Sequence, residues 1–116
     1  MNYLAHVYLS GSDEFLCIGN FIGDHVKGKA YLDYPETIQN GILLHRKIDY
    51  FTDRHFLFKK NVTLLFPQFR HYSRVIVDMF FDHFLANQWN NYHPEPLEQF
   101  SKRFYAMIEQ YSSILP

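Results

Sequence analysis

The sequence predicts an all-α fold, a compact bundle of about five helices in one domain spanning residues 1–116. Three observations carry that expectation. Apolar residues recur at steps of three and four in several separate stretches, the spacing of one helix face. Turn signals divide those stretches, above all Gly28, Pro67 and Tyr92-His-Pro-Glu-Pro96. The longest stretch, Val75 to Trp89, reads VIVDMFFDHFLANQW, with Val75, Asp78, Asp82, Leu85 and Trp89 on one stripe. Composition agrees with a folded chain: 47% of residues are hydrophobic, with 12 Phe and 9 Tyr, enough for a single core.

In chain order, Met1 to Leu9 is too short to assign to strand or helix. Ser10-Gly-Ser-Asp13 reads as a turn with Ser10 as the helix cap. Phe15, Ile18, Ile22 and Val26 then mark a helix that stops at Gly28. Inside it lies GNFIGD, residues 19–24. Two glycines four apart cost a helix roughly 1 kcal/mol each against alanine, so a close backbone approach is expected there. Pro35 and Glu36 open a second helix with Ile38, Ile42, His45 and Asp49 on one stripe. Thr52-Asp53 is read as the cap of a short third helix through Phe58, Val62 and Leu65, closed by Pro67. The central helix is expected from about His71 to Asn90. Leu97, Phe100, Phe104, Ile108 and Tyr111 mark the last, ending near Ser112.

Charge is uneven although the net value is −1. Nine of the eleven Lys and Arg residues lie between Lys27 and Arg74, against four acids, so one face is expected to be basic. That density falls short of a nucleic-acid binder. The apolar stretches are too short and too interrupted by acids for a membrane span. The single Cys17, between Leu16 and Ile18, reads as a buried structural thiol in a reducing compartment. With no secretory signal visible in Met1 to Ser10, a cytoplasmic location is expected.

Two helices each offer a histidine and an aspartate near the core, His45 with Asp49 and Asp82 with His83. Asp78 lies one turn before the second pair. One such pair is most simply a helix ion pair. Two pairs on inward faces favour a divalent cation, which takes imidazole nitrogens and carboxylate oxygens where thiolates are absent. Asp24 is a further carboxylate or acid. His6 reads as a ligand, a proton donor or a purely structural residue. Arg46 stands about 100° from the ligand stripe and is within reach of a phosphate or of solvent.

The stretches MNYLAH, GNFIGD, GILLHRKIDYFTD (residues 41–53), Phe66-Pro67 and DMFFDHFLA (residues 78–86) resemble the acyl carrier protein phosphodiesterases in order and spacing. The resemblance implies an all-helical, distant relative of the HD-type phosphohydrolases that uses Mn²⁺, with Mg²⁺ as another hard cation of the same kind. It implies removal of 4′-phosphopantetheine from a serine of holo-acyl carrier protein. On that reading His45, Asp49, Asp82 and His83, with Asp78 beside them, hold the metal. His6, Asp24 and Arg46 serve catalysis, with His6 protonating the leaving serine. Lys27, Lys59 and Lys60 dock the acidic carrier protein. Asp82-His83 reverses the HD order, and members of the family continue with further helices, so residues 1–116 read as the N-terminal part of a longer domain. Two other readings stand beside this one. One is an HD-like phosphohydrolase acting on a nucleotide or other small phosphodiester; the other is a non-catalytic carrier-binding module. The central helix is apolar nearly all round, so a homodimer closed through the last helix near Phe100 and Phe104 is expected to cover it.

Overall fold

The computed structural model describes residues 3–116, which form six α-helices linked by short 3₁₀ turns, with no strand among them. The helices are α1 (Tyr3–Leu9), α2 (Glu14–Ile22), α3 (Glu36–Arg54), α4 (Phe56–Phe69), α5 (Ser73–Asn87) and α6 (Leu97–Gln110). Of the segment left open between strand and helix, Tyr3–Leu9 is α1, and Met1 and Asn2 lie outside the described residues. None of the helices among the described residues is long and apolar enough to cross a membrane.

Several boundaries differ from the sequence reading for local reasons. Asp13, not Ser10, caps α2, its carboxylate accepting from the Leu16 amide at 3.0 Å. Ser10 instead donates to the His6 carbonyl at 2.7 Å, closing the end of α1. Thr52 and Asp53 continue α3, and the break comes at His55, whose backbone is extended and whose Nδ1 accepts the Leu57 amide at 3.2 Å. Pro67 lies inside the last turns of α4 and does not end it; the chain leaves that helix at Arg70, with φ 53°.

The centre of the fold is the α2–α3 pair. Gly19 and Gly41 face each other across it. A Cβ on Gly19 would overlap the Ile38 carbonyl and reach 2.8 Å from the Gly41 Cα; one on Gly41 would overlap the Leu16 carbonyl. The glycines thus permit backbone-to-backbone contact, as their cost to the helix anticipates. Around them Ile18, Ile22, Val26, Ile38 and Ile42 form one buried cluster. Val7, Cys17, Trp89 and Phe100 form a second.

Helix α6 lies on both clusters. Phe100 is 7% exposed and packs on Trp89 with ring centroids 4.6 Å apart, while Phe104 meets Phe21 edge-on at 5.1 Å. The last helix is therefore already used inside the chain, which corrects the expectation that Phe100 and Phe104 face a partner copy. The open apolar surface is instead on α4 and α5, where Leu64, Met79, Phe80 and Phe84 are each more than half exposed. The molecule is a slab of 43 × 36 × 19 Å, two helix diameters thick. Its accessible surface is 7818 Å², against roughly 6,700 Å² for a compact monomer of this mass.

Candidate metal centre

The site begins with the pairing of α1, α2 and α3. Gly23, just past α2, brings the chain against α3 at His45: a Cβ there would overlap the His45 ring and come within 2.6 Å of its Cβ. The space that glycine leaves is filled by imidazole. From α1, His6 enters beside it, and the two rings stack with centroids 3.8 Å apart and planes 13° apart. Both are buried, His6 at 0% and His45 at 2% exposure.

Each ring turns the same atom outward. His6 Nδ1 meets the Asn20 side-chain oxygen at 2.7 Å, and His45 Nδ1 meets the Asn20 main-chain oxygen at 2.7 Å. The Nε2 atoms converge on carboxylates. Asp49 Oδ1 lies 3.0 Å from His6 Nε2, and its Oδ2 lies 3.1 Å from His45 Nε2. Asp24 Oδ1 is 2.9 Å from His45 Nε2, at the solvent side of the cluster. His6, His45 and Asp49 each offer a ligand atom within 4.8 Å of the others.

Electrostatics reinforce the grouping. Burial disfavours a charge on His45, but its hydrogen bonds to Asp49 and Asp24 outweigh this and raise its pKa. Burial likewise opposes charge on Asp49, yet the bonds from His45 and His6 hold its carboxyl far below the usual range. The signs fix a pH profile. A raised histidine contributes stability that is complete below its ordinary value of 6.5 and is lost as pH rises through the folded value. A depressed aspartate contributes stability present above 3.8 and lost as pH falls through its lower folded value. Metal-free protein is therefore expected to lose melting temperature on its alkaline side, and His45→Gln should flatten that decline. A thermal scan across pH checks this; parallel alkaline limbs in the two proteins would contradict it.

The other sequence candidates lie elsewhere. Asp82 is half-buried on α5 and accepts the Leu4 and Ala5 amides at the start of α1; burial raises its pKa. It is a brace between helices, outside the His6–His45–Asp49 group. Asp78, raised by burial and by the nearby charges of Asp53 and Asp49, flanks that group without joining it. His83 is exposed, with Asn87 Nδ2 3.0 Å from its Nε2, on the outer face beside Ile76, Met79 and Phe80. Adjacent residues on a helix diverge by about 100°, so Asp82 facing inward puts His83 outward. Arg46 donates its Nη2 to the carbonyls of Val26 and Gly28, at 3.1 and 2.9 Å, and lies over the Tyr31 ring. It ties down the loop that follows Asp24. Lys27 sits in that loop, and Lys59 and Lys60 on α4; all three are exposed. The residue that the sequence reading passed over is Asn20. Its signal in the sequence is an amide inside the apolar stretch FLCIGNFI; in the structure it is fully buried and hydrogen-bonded.

Two stacked imidazoles with their Nε2 atoms among carboxylate oxygens define a class: an all-helical protein with a histidine–carboxylate centre able to hold a divalent cation. The chain belongs to the acyl carrier protein phosphodiesterase family, whose sequence profile matches residues 1–116. It is 36% identical over 94 residues to the acyl carrier protein phosphodiesterase of Yersinia pestis, covering 81% of this chain and 49% of that protein. The protein of the same description from Klebsiella pneumoniae (strain 342) is 37% identical over 101 residues, 86% of this chain and 52% of its own length. That from Enterobacter sp. (strain 638) is 33% identical over 117 residues, 100% of this chain and 59% of its own. The chain thus spans about half the length of the curated relatives it matches. No solved structure matches it.

Proposed function

We propose that this chain carries the centre of a metal-dependent phosphodiesterase that removes 4′-phosphopantetheine from holo-acyl carrier protein. The observation that carries the reading is the convergence of His6, His45 and Asp49. Each Nε2 there stands 3.0 or 3.1 Å from an Asp49 oxygen. That is the edge, roughly 3.0 Å, between adjacent oxygen or nitrogen ligands around an octahedral ion with bonds near 2.1 Å. The donor set therefore fits a divalent transition-metal ion such as Mn²⁺, which would be held by Nε2 of His6, Nε2 of His45 and Asp49. Bound there, the ion would supply Lewis acidity toward the phosphodiester and a water of lowered pKa.

The chain's own residues do the rest. Asp49 places one oxygen beside each Nε2. His6 is wholly enclosed and held at both ring nitrogens, so it is a ligand and not the donor to the leaving serine. Asp24, with its side chain 54% exposed, is the member of the cluster open to solvent and takes that proton-transfer role. Arg46 fixes the loop carrying Lys27 at the same rim, where an acidic carrier protein can be met by positive charge.

The test is the mass of holo-carrier protein after incubation with this chain and Mn²⁺, with melting temperature followed as metal is added or chelated. Loss of the phosphopantetheine mass, with a metal-dependent rise in melting temperature, is expected. Cleavage that persists in chelator, or a metal response without cleavage, would each reject the proposal. Docking has its own check. Charge reversal at Lys59 and Lys60 is expected to slow hydrolysis of the carrier protein about tenfold at low salt and to leave a small phosphodiester untouched. Equal losses on both substrates would assign these lysines to the fold.

A further inference from the structure

The amide of Asn20 is held by contacts that accept only one of its ends. Its Nδ2 faces the His6 carbonyl at 3.0 Å and Ser10 Oγ at 2.9 Å. A carbonyl only accepts. Ser10 commits its single proton to that same carbonyl, so its oxygen must accept from Asn20 as well. The NH₂ end therefore lies on that side, and Oδ1 lies 2.7 Å from His6 Nδ1. An amide oxygen carries no proton, so the proton of that bond belongs to His6 Nδ1. The main-chain carbonyl of the same residue makes the same demand on His45 Nδ1. Asn20 is 0% exposed, so water does not compete for any of these bonds.

We propose that Asn20 is the positioning residue of the centre: through its side chain for His6 and its main chain for His45, it holds both imidazoles as Nδ1–H tautomers with both Nε2 lone pairs turned into the cluster. The purpose rests on the cation reading above; the tautomers do not. A lone pair facing a carboxylate oxygen at 2.9 to 3.1 Å repels it unless a proton or a cation lies between. Two protons, one on each ring, would repel each other across 3.8 Å. One shared cation answers both demands, so a residue that fixes the tautomers also biases the pocket toward metal.

The experiment reads ring-nitrogen chemical shifts by NMR in metal-free protein, at a pH above the histidine titrations, and Mn²⁺ affinity by calorimetry. In the wild type both histidines should be Nδ1–H. Asn20→Ala removes the side-chain oxygen and keeps the main-chain one. His6 should then leave the Nδ1–H form while His45 stays, and Mn²⁺ should bind about 10- to 100-fold more weakly. Ser10→Ala removes a buried hydrogen bond from the same network but leaves the His6 carbonyl to orient Asn20. It should lose melting temperature without moving either tautomer. His6 found as Nε2–H in the wild type, or a tautomer unchanged in Asn20→Ala, would overturn the proposal; so would an unchanged Mn²⁺ affinity in that variant. If wild type binds no Mn²⁺ at all, the reading of the previous subsection fails, and the tautomers alone decide this one.

Discussion

Asp49→Asn is expected to reduce hydrolysis of holo-carrier protein about a thousandfold, the equivalent of about 4 kcal/mol in the transition state. Among the described residues Asp49 is the one side chain that touches both Nε2 atoms, and asparagine keeps its size while removing the charge. One of its terminal atoms would become a donor, which cannot serve as a ligand. Mn²⁺ should then fail to raise the melting temperature. The fold should survive at a cost of about 1–3 kcal/mol, because the aspartate side chain is only 29% exposed and two imidazoles lose a charged partner. His83→Ala is the matched control. It changes an exposed residue of the outer face and should leave turnover within about twofold of the wild type. An Asp49→Asn protein that retains a tenth of the activity and an ordinary metal response would remove the cluster from consideration as the centre.

Gly41→Ala should cost stability out of proportion to the single methyl it adds. On helix propensity alone, alanine would gain about 1 kcal/mol. Against that, its Cβ would overlap the Leu16 carbonyl and stand 2.8 Å from the Gly19 Cα and 2.9 Å from the Asn20 amide. These are backbone atoms and have no rotamer to escape into, so α2 and α3 must move apart. Ile18, Ile22, Ile38 and Ile42 would then lose contact across the buried cluster. A net cost of about 3 kcal/mol, a fall of about 12 °C in melting temperature, is expected. Gly23→Ala makes a useful comparison: its Cβ would overlap the His45 side chain, so the loss should fall mainly on metal binding. A Gly41→Ala protein melting within a few degrees of wild type would show that the helix contact is looser than described.

Much of this architecture can be read along the chain because it depends on local spacing. The stripes of α2, α3 and α6, the break at Tyr92 to Pro96 and the close approach at GNFIGD all follow from periodicity, proline and glycine. His45 and Asp49 share a face by their spacing of four, and the structure places them at one point. What could not be read depends on partners distant in sequence. Asp82 looks like a ligand on helical spacing, but the residues it meets, Leu4 and Ala5, lie some eighty positions away. His6 belongs to a segment too short to assign, and only its stacking on His45 reveals its place. The same holds for α5. Its all-round apolar character predicts that it should be enclosed, yet Val75, Met79, Phe80 and Phe84 remain open among the described residues, and hydropathy alone cannot name the uncovered side.

Among the described residues, the side chains that hydrogen-bond within the cluster come from the first 49 positions: His6, Asn20, Asp24, His45 and Asp49. The later helices act on that set from outside: Asp82 of α5 accepts the Leu4 and Ala5 amides at the start of α1, and Trp89 and Phe100 pack with Val7, the neighbour of His6. They are the footing on which α1 stands. A change in that footing tilts α1 and shifts His6 against His45 although no donor is replaced.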